Sequence, residues 1–298
     1  MYPSDRTLHR FIRMAPQATS VVAAIRKFHP YSMLSDEEVF FLNALCSTLS
    51  EPARVAELGC YVGGTTCIFG EATPAGSVVE VYDLFLHNGA SRQRLRDDPL
   101  FQPESFFGIW ERNTAPYKDK VSLNRGDLLE TCKANIEPLD IAYVDIVKHP
   151  SLINAMMHFY SRVKLGGLVL HQDYFHWQSP WLVYQMEYLR DYFDLIGDVG
   201  HNMAVYRKSR SLDAVKSVDF LTLPVDEIFE LFDRAIDRYK ASKAGMLKVS
   251  KLRLALEIAP ERQQQITSDI ETNHSDSPRV VRYLRALQAS QKDLKVMW

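Results

Sequence analysis

The residues of this chain best suited to chemistry stand one at a time at the ends of apolar runs. Glu57, Asp83, Asp127, Asp145 and Asp173 each close or follow such a run. Gly59, Gly63 and Gly64 come directly after the first of them. Glycines between a strand end and a helix start let a ligand approach the backbone, because no Cβ stands in the way. The helix start adds free N–H groups and a partial positive charge. Together these suit a nucleotide-type ligand, with a carboxylate at Asp83 able to accept both ribose hydroxyl hydrogens. A plain turn is the competing reading at Asp83 and at Gly126-Asp127. The dinucleotide pattern G-x-G-x-x-G, with an acidic residue about 20 positions on, is not met. The glycine spacing differs, and Glu57 and Asp83 lie 26 residues apart.

Strands are expected over Arg54–Leu58, Ser77–Tyr82, Val121–Asn124, Leu139–Val144, Leu168–His171, Phe193–Val199 and Met203–Arg207. They read as short β-branched or apolar runs bounded by turn residues. Helical patterns fall between them. The box Ser35-Asp36-Glu37-Glu38 opens one over Val39–Leu49, and others cover residues 151–163 and 181–192. Gly166-Gly167 is expected to lead into the fifth strand. Alternation of this kind makes a parallel sheet with helices on both faces, and ligands of such sheets bind beyond the carboxyl ends of the strands. Every acidic residue named above sits at such an end. From about Asp213 the chain is helical by pattern, with helices over 246–258 and 278–291 and a polar loop at 272–278.

The run Glu57-Leu58-Gly59-Cys60-Tyr61-Val62-Gly63-Gly64-Thr65 resembles motif I of the class I S-adenosylmethionine (SAM)-dependent methyltransferases, read as E-L-G-x-Y-x-G-x-[ST]. It looks most like the catechol-type O-methyltransferases, with macrocin- and sugar-type enzymes as further relatives. The resemblance covers about residues 36–208. It implies an α/β, three-layer Rossmann-like sheet of seven strands, the last antiparallel, followed by a C-terminal helical extension. The division would be an arm over 1–34, a methyltransferase domain over 35–210 and an extension over 211–298. It implies SAM as cofactor, held by Glu57, Gly59, Tyr61, Gly63 and Thr65, with Asp83 on the ribose and Asp127 against the adenine.

Asp145-Ile146-Val147-Lys148 gives D-x-x-K at a strand end, and Asp173 follows the fifth strand. In the catechol type the two aspartates bind a divalent cation such as Mg²⁺, and the lysine is the general base. A hard cation held by few carboxylates and several waters would orient an acceptor hydroxyl and lower its pKa. The chain departs from the pattern at Tyr174, where the catechol type has Asn, and at Gln172, where macrolide and sugar types have Glu. Gln172 retains a carbonyl oxygen as a third candidate ligand. Without metal, Asp145, Asp173, His171, His149 or His176 could take the acceptor proton. The loop from Tyr174 to Trp181 suits a pocket wall and loop packing equally.

At 298 residues, 46% hydrophobic and 24% charged, the composition is that of a globular protein. A net charge of −2 gives no push toward nucleic acid or membrane. From Lys240 onward 11 Lys/Arg face 6 Asp/Glu, and a solvated helix surface accounts for this most simply. The four cysteines form no C-x-x-C pair and read as reduced thiols of a cytoplasmic protein. No secretory signal and no membrane-length apolar run is found. The expected function is SAM-dependent methylation, on oxygen of a small-molecule or sugar acceptor, with the helical tail as cap, arm or homo-oligomer contact. The alternatives are a binding or assembly protein that keeps the fold without turnover and, further off, a nicotinamide oxidoreductase.

Overall fold

The computed structural model describes residues 2–18, 22–23, 32–146 and 149–294. Its strands are β1 (Arg54–Leu58), β2 (Val78–Asp83), β3 (Val121–Arg125), β4 (Leu139–Val144), β5 (Val163–His171), β6 (Phe193–Val199) and β7 (Met203–Lys208). The helices are α1 (Asp5–Met14), α2 (Asp36–Ser47), α3 (Gly64–Ala72), α4 (Gly89–Leu95), α5 (Phe107–Thr114), α6 (Leu128–Thr131), α7 (Ile153–Arg162) and α8 (Pro180–Tyr188), then α9 (Val225–Ile236), α10 (Ala241–Ile258), α11 (Gln263–His274) and α12 (Pro278–Leu294). Two compact units interleave along the chain. One holds Met1–Ile146, Ala155–Gln172 and Tyr192–Lys216; the other holds Val147–Asn154, Asp173–Asp191 and Ser217–Trp298.

The first unit is built on one sheet in the order β3-β2-β1-β4-β5-β7-β6. Pairing is parallel from β3 to β5, and β7 runs antiparallel to both β5 and β6. The sequence dictates much of this. Central β4 is buried at every position, as a near-continuous apolar strand covered on both faces must be. Edge strand β3 keeps only half-buried and exposed positions. Helix α2 starts where expected. The Ser35 hydroxyl accepts from the Glu38 amide, while the Glu38 carboxylate accepts from the Ser35 amide at 2.8 Å.

Two local expectations are corrected, and one unannounced helix is added. Gly166 and Gly167 lie inside β5, which begins at Val163, and the β4–β5 register shifts between Leu139 and Ile141; the glycine pair is a strand irregularity and not a lead-in. A short helix, α4, follows β2, closed by reciprocal hydrogen bonds between Asn88 and Ser91. The region 272–278 is not a single loop, because α11 runs to His274 and α12 begins at Pro278. Helix α11 is too polar to show a clear apolar stripe, so its periodicity is silent.

A charge lies buried on β2. Both oxygens of Glu80, which is fully buried, accept from Arg162 Nη2 at 2.8 Å, and Oε1 also accepts from Arg54 Nη1 at 2.9 Å. The Tyr82 hydroxyl adds a donor at 2.9 Å.

In the second unit α10 is the hub, with α8, α9, α11 and α12 against it. Its Leu247, Val249, Leu252, Leu254 and Ala255 are all buried. The aromatic loop after β5 packs into this unit. Phe175 meets Tyr239 edge-on at 4.9 Å and lies under Lys243 Nζ at 4.5 Å; the His176 ring is 4.8 Å from Tyr283. Tyr174, Phe175 and Trp177 are buried, which favours packing over the pocket-wall reading.

Candidate functional site

The chain leaves β1 through Gly59, whose φ of +84° is open to glycine at little cost. A Cβ there would stand 2.7 Å from the Asp145 carbonyl oxygen, so the turn also depends on the end of β4. The Gly59 amide donates to the Tyr82 carbonyl and the Asp145 amide to the Leu58 carbonyl, which fastens the ends of β1, β2 and β4 together. Gly63 (φ +89°) caps α3, and Asn113 Nδ2 on α5 holds the Val62 carbonyl at 2.9 Å.

Asp83 is the clamp of this arrangement. Its Oδ2 accepts the amides of Cys60 at 2.9 Å and Tyr61 at 3.3 Å, and its Oδ1 accepts the amide of Phe85 at 2.6 Å. Tyr61 (φ 49°) and Phe85 (φ 58°) are bulky residues in the left-handed region. Such conformations persist only where surroundings over-determine them, and one carboxylate does so for both. Burial pushes the Asp83 carboxyl up, and the three amides oppose that shift. A ribose would therefore share a carboxylate already engaged by backbone.

Glu57 lies beneath the turn, fully buried, with Oε2 accepting from Thr66 Oγ1 at 2.6 Å. Trp110 Nε1 donates to the same hydroxyl at 3.4 Å. Glu57 Oε1 is buried and has no hydrogen-bond partner among the described residues. Burial raises the carboxyl to about 8, with Asp83 and Asp145 adding repulsion against the pull of Thr66. The folded state thus holds a proton that the unfolded chain has lost between about pH 4.5 and pH 8. Stability contributed by that proton is complete below the lower value and disappears as pH rises through the upper one. Glu57→Gln, always neutral, should match wild type within about 1 kcal/mol at pH 5 and exceed it at pH 9. The gap should open by up to ~1.4 kcal/mol per pH unit across the window. Urea midpoints of both proteins at the two pH values test this; equal midpoints at pH 9 would remove the buried-proton account.

Gly59, Tyr61, Thr65 and Asp145 line a single crevice at the carboxyl end of the sheet. Its volume is about 30 Å³, room for one water, and Ser32, Met33 and Leu34 form the rest of its lining with Cys60 and Gly64. Sequence reasoning missed this segment, which carries no motif. It also missed Trp110, Asn113 and Thr114, the α5 residues that brace the turn. A tryptophan in an apolar helical pattern was the one available signal.

The other expected residues fall out as follows. Asp127 is exposed and caps α6 by accepting the Leu129 amide at 2.9 Å. His171 is not placed to take a proton from a ligand. It is fully buried, its Nε2 lies 3.0 Å from the Tyr160 hydroxyl, and burial pulls it down to about 3, so the ring stays neutral. Gln172 turns its amide toward Glu38 Oε1 at 3.3 Å, and its own Oε1 is buried without a hydrogen-bond partner among the described residues. Asp173, with φ 59°, belongs to the second unit. Lys148 lies outside the described residues. Among the described residues no three His, Cys, Asp or Glu side chains gather as a metal site. No helix of the described residues is long and apolar enough to cross a membrane.

A seven-stranded sheet in the order 3-2-1-4-5-7-6, with its seventh strand antiparallel and a glycine turn after its first, is the Rossmann-like methyltransferase fold, here with added C-terminal helices. No family model and no curated protein matches the chain. Among solved structures it is similar to the O-methyltransferase NovP, at 18% identity over 60% of this chain and 83% of that one, TM-score 0.48. It is also similar to the SAH-bound methyltransferase PaMTH1 of Podospora anserina, at 15% identity over 65% and 96%, TM-score 0.46. A third is an O-methyltransferase of Bacillus cereus in complex with SAH, at 13% identity over 70% and 92%, TM-score 0.45. The assignment of fold rests on the strand order itself.

Proposed function

We propose that this chain is a SAM-dependent methyltransferase acting on an oxygen of a small-molecule or sugar acceptor. The observation that carries the reading is the crevice after β1, where Asp83 ties the glycine turn to β2 and Asp145 lines the adjoining wall. Two acidic side chains at the mouth of a parallel sheet favour a ligand that combines a ribose with a positive charge. When bound, SAM supplies a methyl group on a positively charged sulfur.

This chain's residues would do the rest. The turn from Gly59 to Thr65 cradles the cofactor, Asp83 accepts from the ribose, and Asp145 faces the acceptor side. Holding acceptor, methyl carbon and sulfur in line replaces a rare encounter by a positioned one. Lys148 and Asp173 are kept as candidates for proton removal, and Asp145, Asp173 and Gln172 as candidate ligands for a divalent cation, although among the described residues no three His, Cys, Asp or Glu side chains gather as a metal site. The chemistry of the lining fits a cationic nucleoside. The space does not, since a pocket for such a ligand needs at least ~300 Å³ and the crevice has about 30 Å³. That narrowness favours a second reading, a methyltransferase fold kept for binding or assembly without turnover.

Calorimetric titration of the full chain with SAH and NADH tests the cofactor, and transfer of labelled methyl from SAM to hydroxylated acceptors separates turnover from binding alone. We expect SAH to bind, NADH to fail, and Asp83→Asn to weaken SAH at least tenfold, because an amide cannot accept on both sides of the carboxylate. NADH binding without SAH binding would overturn the proposal, and binding of neither would leave the second reading.

A further inference from the structure

The crevice is narrow, and Ser32–Leu34 form one wall of it through a close fit between two parts of the first unit. An ideal Cβ on Gly64 would stand 2.7 Å from Ser32 Cα and 2.9 Å from both Ser32 N and Ser32 Cβ. The first two contacts are to backbone, and real Cβ atoms essentially never approach that closely. Gly64 has no unusual φ, so turn geometry does not require glycine there. What requires it is the main chain of Ser32 lying against the first residue of α3.

The covering segment is fastened at both sides. Leu34 is buried to 6% exposure in the main core, and its amide donates to Ser32 Oγ at 3.3 Å. Ser35 and Glu38 then form the box that opens α2, and Gln172 at the end of β5 donates to Glu38. On the other side Arg94 of α4 donates to Met33 Sδ.

We propose that Ser32–Leu34 is an autoinhibitory cover seated on Gly64, which a ligand of the crevice must displace. The inference deepens the cofactor reading above and rests on it for the identity of the ligand. Its physical content is a competition. Cover and ligand need the same space, so measured affinity is the intrinsic affinity reduced by the small fraction of open molecules. Anything that unseats the cover should tighten binding and leave the sheet alone. Arg94→Ala does this from the α4 side, by removing the donor to Met33 Sδ outside the glycine turn. Leu34→Ser does it from the cover side, without touching the glycine turn.

The test is hydrogen exchange over peptides containing Ser32–Leu34 in the full chain, with SAH calorimetry in parallel. Exchange should be slow in wild type and about tenfold faster in Arg94→Ala and Leu34→Ser, with SAH binding about tenfold tighter in both. SAH added to wild type should also speed exchange at these peptides. SAH binding with unchanged or slower exchange would overturn the cover, as would variant exchange equal to wild type. If none of the three proteins binds SAH while the variants exchange faster, the cover stands and the cofactor reading is what fails.

Discussion

Gly59→Ala is expected to be the most damaging small substitution in this protein. An L-residue at φ +84° carries about 1–2 kcal/mol of strain. Its Cβ would also meet the Asp145 carbonyl at 2.7 Å, which is backbone and cannot swing aside as a side chain would. Relief requires separating the ends of β1 and β4, where the Asp145 amide bonds the Leu58 carbonyl. Together these should lower stability by about 3 kcal/mol or more, a large share of the 5–15 kcal/mol typical of a folded domain. Gly89→Ala is the control. Nothing lies within 4 Å of its Cβ position and its φ is ordinary, so that change should be neutral or gain up to about 1 kcal/mol. Urea denaturation of the two variants decides the matter; equal midpoints would mean that the close approach at Gly59 is not a constraint.

Arg162→Ala comes next. Arg162 is the main partner of Glu80, and both lie in the interior, with side-chain exposures of 4% and 0%. Breaking a buried pair from one side leaves a charge without its counterpart, which costs about 3–5 kcal/mol. Arg54 and the Tyr82 hydroxyl remain to moderate the loss, so the lower end is expected. Replacing both members together, as Arg162→Met with Glu80→Leu, should recover most of it, because well-packed apolar residues often match or exceed a buried ion pair. Thermal midpoints of the single and double variants form the test. A single variant within 1 kcal/mol of wild type, or a double variant worse than the single, would contradict this account of the β2 interior.

The two substitutions probe different supports of the same site. Gly59 holds the ends of β1 and β4 at touching distance, and Glu80 fixes β2, whose last residue Asp83 clamps the turn. Each acts on the crevice through the strand that carries it.

Much of this protein was legible in its amino-acid order. Apolar runs of β4 and β2, the box at Ser35–Glu38 and the glycines after β1 are local signals, and each produced the element it announces. Local signals succeed here because strand burial, capping and turn geometry depend on neighbours a few residues away. Alternation announced a parallel sheet with helices on both faces, the seven strands with an antiparallel last one were what the resemblance of the glycine run implied, and the strand order itself came from the structure. Other features depended on contacts between distant segments. That Asp83 grips Cys60 and Tyr61, that His171 is a core ring against Tyr160, and that Asp127 caps a helix are facts of proximity and burial. A carboxylate at a strand end reads the same whether it faces a ligand or an amide. The segment over the crevice was the least visible of all. Ser32, Met33 and Leu34 have no motif, and only the tertiary structure brings their backbone onto a glycine some 30 positions away, because packing, unlike periodicity, leaves no trace in either segment alone.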